Sequence, residues 1–133
     1  MVIWTILAYM LWSVSTETAV ANQRATHELC QGVGLASWYG ERHQGETTAN
    51  GEVFNMHGLT AAHQQLPFGT TIRVTDATSQ RSVVVRINDR GPFVGDRILD
   101  LSRAAAERLG IVETGVATIR WELLTPESAT TGS

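Results

Sequence analysis

Polar side chains, some of them able to give or take protons, are unusually dense in three segments of the sequence, residues 47–63, 88–93 and 97–102. The candidates for acid–base work in these segments are Glu52, His63, Asp89 and Asp100. Cleavage of a glycosidic bond needs a proton donor at the leaving oxygen, and that donor is often a carboxyl group with a raised pKa. Residue types alone therefore make these four the candidate catalytic residues.

Each candidate also has a purely structural interpretation, and spacing alone leaves both open. Asp100 suits the positive end of a helix that follows it. Asp89 and Arg90 suit a turn stabilised by an aspartate side chain and an ion pair. Glu52 follows a turn as an exposed polar residue would, and His63 in an alanine-rich strand is typical of a half-buried histidine.

Metal and cofactor chemistry finds no support in the spacing of ligand-type residues. The four histidines, His27, His43, His57 and His63, form no H-x-x-x-H pattern on a helix. Cys30 is the single cysteine, so neither an intrachain disulfide nor a cysteine-rich zinc site can form. We expect no metal and no other cofactor.

The elements that must position the candidates are mostly short strands. Turn signals recur every 8–12 residues from Val33 onward, a spacing typical of small all-β folds. Asn50-Gly51 is a strong turn dipeptide, because both residues tolerate positive φ. In residues 81–87, valines fall on both faces, which predicts partial burial of both. The predicted strands cover residues 33–39, 59–63, 70–75, 81–87 and 115–124.

One segment predicts a helix. Residues 102–109 are rich in strong helix formers. Ser102 is a suitable N-cap, and Gly110 is suited to the position just after the helix. A helix of about two turns does not persist alone, so we expect it to pack on the strands.

The N-terminus is typical of a secretory signal peptide. An apolar run over residues 2–12 leads through a Ser/Thr stretch to Ala19-Val20-Ala21, which predicts a signal peptide over 1–21. The positive segment that usually opens such a peptide is missing, so a misplaced start and a short uncleaved anchor are the alternatives. The run is too short for a stable membrane span, which needs about 20 apolar residues. We expect no such span after cleavage.

The length of the chain limits the number of domains, and its net charge limits the class of partner. At 133 residues and 14.5 kDa the chain allows one ordinary domain, which we expect over residues 32–124 as a monomer. A flexible mature N-terminus over 22–31 and a disordered tail over 125–133 complete the predicted organisation. The net charge of −3 and a pI of about 5.7 exclude a basic nucleic-acid footprint.

Five motifs stand in order along residues 32–123. They are Gly34-Leu35-Ala36-Ser37-Trp38-Tyr39-Gly40, Thr48-Ala49-Asn50-Gly51-Glu52, Leu59-Thr60-Ala61-Ala62-His63 with Leu66-Pro67-Phe68-Gly69, Val85-Arg86-Ile87-Asn88-Asp89-Arg90-Gly91-Pro92-Phe93, and Asp100-Leu101-Ser102 with Ala104-Ala105-Ala106. Together they resemble the rare lipoprotein A family of bacterial septal-ring lytic transglycosylases. The resemblance implies a mainly β fold, a six-stranded double-psi β-barrel with one short helix.

The resemblance also implies a substrate and a mechanism. The substrate would be the glycan strands of peptidoglycan, cleaved endolytically between MurNAc and GlcNAc with formation of 1,6-anhydro-MurNAc. Asp100 or Asp89 would protonate the glycosidic oxygen and then accept a proton from the muramic C6 hydroxyl. Glu52 and His63 would position the sugar or tune the pKa of the acid. The protein would be located in the bacterial envelope, after secretion to the periplasm or to the outside of the cell.

Substrate contacts follow from the same resemblance. The predicted contacts are Trp38, Tyr39, Asn50, Asn55, Asn88 and Arg90. Many family members have aspartate where this chain has Asn55, and an amide cannot transfer a proton. The chain departs from the family there, so a non-catalytic, expansin-like module that binds cell-wall glycan is the alternative function. A secreted domain that docks on another wall protein is a third.

Overall fold

The computed structural model describes residues 30–39 and 43–124. The elements named below all lie in the second of two compact units, Gln31–Ser133. The predicted signal peptide, nearly all of the predicted flexible N-terminus and the predicted tail fall outside the described residues. Gln31, the last residue of that predicted N-terminus, already belongs to a strand.

The described chain contains six strands and a helix. They are β1 (Gln31–Tyr39), β2 (Thr60–Ala62), β3 (Thr71–Asp76), β4 (Ser82–Asp89), β5 (Arg97–Ser102), α1 (Arg103–Leu109) and β6 (Val116–Leu123). The strands close into a barrel in the order β1-β5-β2-β4-β3-β6. β1 runs parallel to β5 and β2 parallel to β4, while the other neighbours are antiparallel. The predicted six-stranded barrel is confirmed.

Alternating side chains build the core, as the sequence predicts for β6. There Ile119 and Trp121 are buried, whereas Arg120 and Glu122 are exposed. The prediction that both faces of residues 81–87 are partly buried is wrong for Val84, which is 39% exposed. The reason is its place on the outside of the barrel wall. The interior is filled by aliphatic side chains, the largest being Ile72, Val74, Val85, Ile87, Leu99, Leu101 and Ile119.

Helix α1 forms as its end signals predict. The Ser102 side chain accepts a hydrogen bond from the Ala105 N–H, and Gly110 closes the helix in the left-handed conformation at φ 75°. The helix has only seven residues, so tertiary packing must stabilise it. Its buried face, which includes Ala106 and Leu109, packs toward β4 and β5.

Strand β5 was not predicted as a strand. Residues 97–102 were identified as a polar segment that enters the helix, yet Arg97–Ser102 is a strand between β1 and β2. Leu99 and Leu101 are buried inside the barrel. The position of β5 brings Asp100 next to two neighbouring strands, and this position creates the candidate site.

Candidate functional site

Asp100 and Asp89 lie at one level of the barrel wall. In the strand register Asp100 is opposite Ser37 of β1 on one side and Ala62 of β2 on the other. Ala62 is in turn opposite Asp89 of β4. One small buried residue therefore separates the strand positions of the two acids, and both line a groove of about 270 Å³.

The groove has polar and apolar walls. Phe93 and Val94 lie on one rim with 79% and 68% exposure, and exposed apolar groups around a concave surface are typical of a ligand-binding groove. The lining residues are Tyr39, His43, Glu46, Thr47, Thr48, Phe54, Ala62, Asp89, Arg90, Gly91, Pro92, Phe93, Val94, Arg97 and Asp100.

The environment of Asp100 favours its protonated form. Burial raises the pKa of this carboxyl, and the charge of Asp89 adds to the rise. The Ser37 hydroxyl donates to Oδ1 at 2.5 Å, and this bond together with the charges of Arg97 and His43 opposes the increase in pKa only in part. A half-buried carboxyl with a raised pKa in an open groove can hold a proton and release it to a ligand.

Asp89 is oriented by the backbone around it. Its Oδ1 accepts hydrogen bonds from the N–H groups of Ala49 and Arg90, both at 2.9 Å. No hydrogen bond from the described residues reaches Oδ2. The second oxygen of a rigidly held carboxylate is therefore available to the groove.

Tyr39 stands beside both acids. Burial raises the pKa of its hydroxyl, and the charges of Asp89 and Asp100 raise it further. The ring packs against Phe54 with centroids 4.6 Å apart and meets His43 edge-on at 5.5 Å. The raised pKa keeps Tyr39 protonated in the groove lining, and within the described part of the chain its hydroxyl has no hydrogen-bond partner.

Glu52 lies outside the groove lining, in a network of its own. Its two oxygens accept from Arg86 at 2.5 and 2.8 Å. The Asn50 amide donates to Oε1 at 2.8 Å, and the Asn88 amide donates to Oε2 at 3.4 Å. Hydrogen bonding to Arg86, assisted by Asn50, lowers the pKa of Glu52 to about 2. The network fixes the loop at 47–53 and occupies the side-chain NH2 groups of both asparagines, while the buried Asn88 Oδ1 has no hydrogen-bond partner among the described residues.

The Glu52 network predicts a dependence of stability on pH. The pKa of Glu52 is depressed from 4.5 to about 2 in the folded chain, so its stabilising contribution is complete above pH 4.5 and is lost as the pH falls toward 2. Urea unfolding at about pH 6 and about pH 3 measures this contribution. We expect the stability difference between the wild-type chain and Glu52→Gln to shrink on acidification. A difference that is equal at the two pH values would contradict this role.

His63 lies outside the groove lining and stabilises a turn. Its Nδ1 accepts from the N–H groups of Gln65 and Leu66, both at 3.0 Å. Burial lowers the pKa of His63, and the nearby charge of Arg90 adds to the decrease. The ring therefore stays neutral with its proton on Nε2. The His63 N–H donates to the Asp89 carbonyl at 3.2 Å, so this histidine acts on the site by holding the backbone of Asp89.

Arg90 lines the groove with its guanidinium already engaged. Nη1 donates to the carbonyls of Leu66 at 2.8 Å and His63 at 3.3 Å. The guanidinium carbon lies 3.9 Å from the centre of the Phe68 ring, a cation–π distance. Arg90 therefore anchors the loop at 63–68 to the end of β4.

Four of the predicted substrate contacts, Trp38, Asn50, Asn55 and Asn88, lie outside the groove lining. The Trp38 indole N–H donates to the Val112 carbonyl at 3.3 Å, and its ring packs against the core. Asn55 is exposed, and its side-chain oxygen accepts from the His57 N–H at 3.0 Å in a local turn. Of the six predicted contacts, Tyr39 and Arg90 line the groove.

The structure adds residues that the sequence reasoning did not select. Besides Phe93 and Val94, the additions are Arg97 and a pair formed by His43 and Glu46, whose Nδ1 and Oε2 lie 2.9 Å apart. Single exposed apolar residues and a histidine–glutamate pair at i, i+3 carry no distinctive sequence signal. Arg97 lies three residues before Asp100, and strand alternation assigns it to the opposite face, so the sequence pattern excludes it from the groove.

The described residues contain neither a cluster of metal ligands nor a membrane-spanning helix. No group of three or more His, Cys, Asp or Glu side chains among them could hold a metal ion. No helix within the same residues is long and apolar enough to span a bilayer.

Comparisons with solved structures place the barrel among known folds. An expansin from Clavibacter michiganensis matches with a TM-score of 0.58 and 23% identity, over 72% of this chain and 51% of the expansin chain. The Streptomyces papain inhibitor matches with a TM-score of 0.57 and 21% identity, over 71% of this chain and 94% of that one. At this level of identity the matches show a shared fold.

Comparisons of sequence are more specific. A family model described as "Lytic transglycolase" matches residues 31–121. "Endolytic peptidoglycan transglycosylase RlpA" of Pseudomonas aeruginosa strain UCBPP-PA14 is 52% identical over 94 residues, which are 71% of this chain and 28% of the relative. The protein of that name from Vibrio cholerae is 47% identical over 97 residues, 73% of this chain and 37% of the relative. The chain thus spans less than two fifths of either relative. It belongs to the lytic transglycolase family, as an RlpA-like double-psi β-barrel.

Proposed function

We propose that this chain is an endolytic lytic transglycosylase that cleaves MurNAc–GlcNAc bonds in peptidoglycan glycan strands. One observation carries the proposal: a half-buried carboxyl with a raised pKa, Asp100, faces an open groove beside a second carboxylate, Asp89. The activity for which two relatives are named, endolytic peptidoglycan transglycosylase, supports the same reaction.

In the proposed reaction Asp100 serves first as acid and then as base. Its proton goes to the glycosidic oxygen as the bond from that oxygen to muramic C1 breaks. The C6 hydroxyl of the same muramic residue attacks C1, forms the 1,6-anhydro ring and gives its proton to the Asp100 carboxylate. Asp100 ends protonated, and no water is consumed.

The neighbouring groups orient the sugar and the acid. Asp89, whose Oδ1 is held by two backbone N–H groups, presents its other oxygen to substrate hydroxyls. Phe93 offers an exposed ring along the rim. Glu52 and His63 are positioning residues in this proposal, since one holds the loop at 47–53 and the other holds the backbone of Asp89.

The proposed substrate determines where in the cell the protein would act. Peptidoglycan lies in the bacterial envelope, so the chain would work there as a monomer. It would arrive by secretion to the periplasm or to the cell exterior, after removal of residues 1–21. The apolar run over residues 2–12 and the Ala19-Val20-Ala21 pattern support secretion.

A product analysis tests the proposal. The purified chain is incubated with peptide-free glycan strands and with intact sacculi, and soluble products are identified by mass spectrometry. We expect products that end in 1,6-anhydro-MurNAc. Products with an added water would replace transglycosylation by hydrolysis.

The non-catalytic alternative rests on Asn55, where many family members have aspartate and this chain has an amide that cannot transfer a proton. No products from folded protein that still sediments with the glycan would favour an expansin-like binding module. Binding to a wall protein in the absence of glycan would favour a docking domain.

A further inference from the structure

Strand β5 carries an irregularity directly before Asp100. Leu35 of β1 is opposite Arg97, but the next residue of β1, Ala36, is opposite Leu99. Ile98 is therefore an extra residue in β5, as in a β-bulge. Bulges occur next to binding sites, where they redirect a side chain.

The bulge changes which side chains share a surface. Residues three apart on a regular strand point to opposite faces. With one residue inserted between them, Arg97 and Asp100 both line the groove. The extra residue, Ile98, packs against the core and against Gly34, where an added Cβ would lie 2.8 Å from the Ile98 Cδ1. Close packing at a glycine therefore holds the irregularity in place.

Most N–H donors of the Arg97 guanidinium have no hydrogen-bond partner among the described residues. Its Nη1 donates to the Ser37 hydroxyl at 3.3 Å, and no other hydrogen bond or ion pair to Arg97 occurs among residues 30–39 and 43–124. Arg90, the other arginine of the groove, already donates to two carbonyls. Arg97 is thus the groove cation with open donors within the described chain.

The charges around the groove indicate which kind of ligand the Arg97 donors could bind. Glu46 and Asp89 line the same surface as Asp100, and carboxylate charges would repel an anionic ligand there. A guanidinium matches the planar geometry of a carboxylate and binds it through paired hydrogen bonds. A cation with unused donors among these acids is therefore suited to a ligand that brings its own carboxylate.

We propose that Arg97 is a specificity-determining residue that binds a free carboxylate of the glycan, the lactyl carboxylate of a muramic residue at the scissile bond. This inference rests on the proposed function, because that function supplies the sugar that carries the carboxylate. A neutral glycan, or one whose lactyl groups are converted to amides, loses this contact.

Chemical capping of the substrate tests the contact directly. The probes are peptide-free glycan strands with free lactyl carboxylates, and the same strands converted to methylamides with carbodiimide and methylamine. We measure kcat/KM and the dissociation constant of both probes with the full chain and with Arg97→Gln and Arg97→Lys.

For the free strands we expect Arg97→Gln to lower kcat/KM by about 10- to 100-fold, the range for hydrogen bonds to charged groups. For the wild-type chain, capping the carboxylates should lower kcat/KM by a similar factor. For Arg97→Gln, capping should lower kcat/KM by less than about twofold, because the guanidinium that binds the carboxylate is already absent. Arg97→Lys should recover part of the loss, since it keeps the charge without the planar fork. Arg120→Gln, on the exposed face of β6 and outside the groove lining, is the matched control.

Two results would overturn the inference. An equal loss in Arg97→Gln on free and capped strands would mean that Arg97 acts through Ser37 and Asp100. A wild-type chain that binds and cleaves both probes equally well would exclude a carboxylate contact. Discrimination in the dissociation constants without any product would keep the Arg97 contact and refute the proposed function, so the two failures are distinguishable.

Discussion

Replacement of Asp100 by asparagine is expected to slow the release of anhydro-muramic products by about 10³-fold, within the range for loss of a general acid. The amide keeps the size of the side chain and can still meet the Ser37 hydroxyl, but it cannot supply the proton that the leaving oxygen requires. Binding of glycan strands should change little. The measurement is the initial rate of anhydro-sugar release, compared with sedimentation of the variant together with the glycan.

The neighbouring residue Asp96 offers a matched control. It is exposed in the turn before β5 and outside the groove lining, so Asp96→Asn makes the same chemical change without touching the site. Asp96→Asn should keep the wild-type rate. If Asp100→Asn retained more than about a tenth of the rate while Asp89→Asn lost it, the acid would be Asp89.

The pH dependence of the reaction follows from the environment of Asp100. Because burial raises the pKa of Asp100, the protonated form persists to higher pH than for an exposed aspartate. The rate of a reaction that needs this proton must decline as the pH rises through that pKa. The rate of turnover is therefore expected to be higher at lower pH.

Local signals in the sequence were sufficient for much of the fold. Alternation in β6 correctly assigned Ile119 and Trp121 to the interior, and the end signals at Ser102 and Gly110 correctly bounded α1. These features depend on interactions between residues close in the sequence. The closed barrel required the family resemblance, because strand order depends on contacts between distant segments.

The candidate site was harder to predict for the same reason. Asp89 and Asp100 were selected by type, but their common level in the wall depends on the pairing of each with Ala62. Arg97 was missed because a bulge reverses its face, and no periodic pattern encodes a single inserted residue. Trp38 was assigned to the substrate because an exposed and a core-packed indole look alike in a sequence.

Removal of the Ser102 hydroxyl is expected to destabilise the part of the barrel that carries Asp100. Ser102→Ala should lower the free energy of unfolding by about 3 kcal/mol, combining a lost helix cap with buried groups left unpaired. The side chain is fully buried. It donates to the Gly58 carbonyl at 2.6 Å and accepts from the N–H groups of Thr60 at 3.4 Å and Ala105 at 3.3 Å.

These bonds connect three parts of the framework at one atom. Gly58 precedes β2, Thr60 begins β2 and Ala105 lies in the first turn of α1, so one hydroxyl links the strand beside Asp100 to the helix that follows. Urea unfolding measures the loss, with the exposed Ser82→Ala as control, which should change stability by less than about 0.5 kcal/mol. Equal stability of the two variants would mean that the neighbouring groups find other partners. A large difference would instead show that the three bonds of the Ser102 hydroxyl stabilise the barrel that carries Asp100.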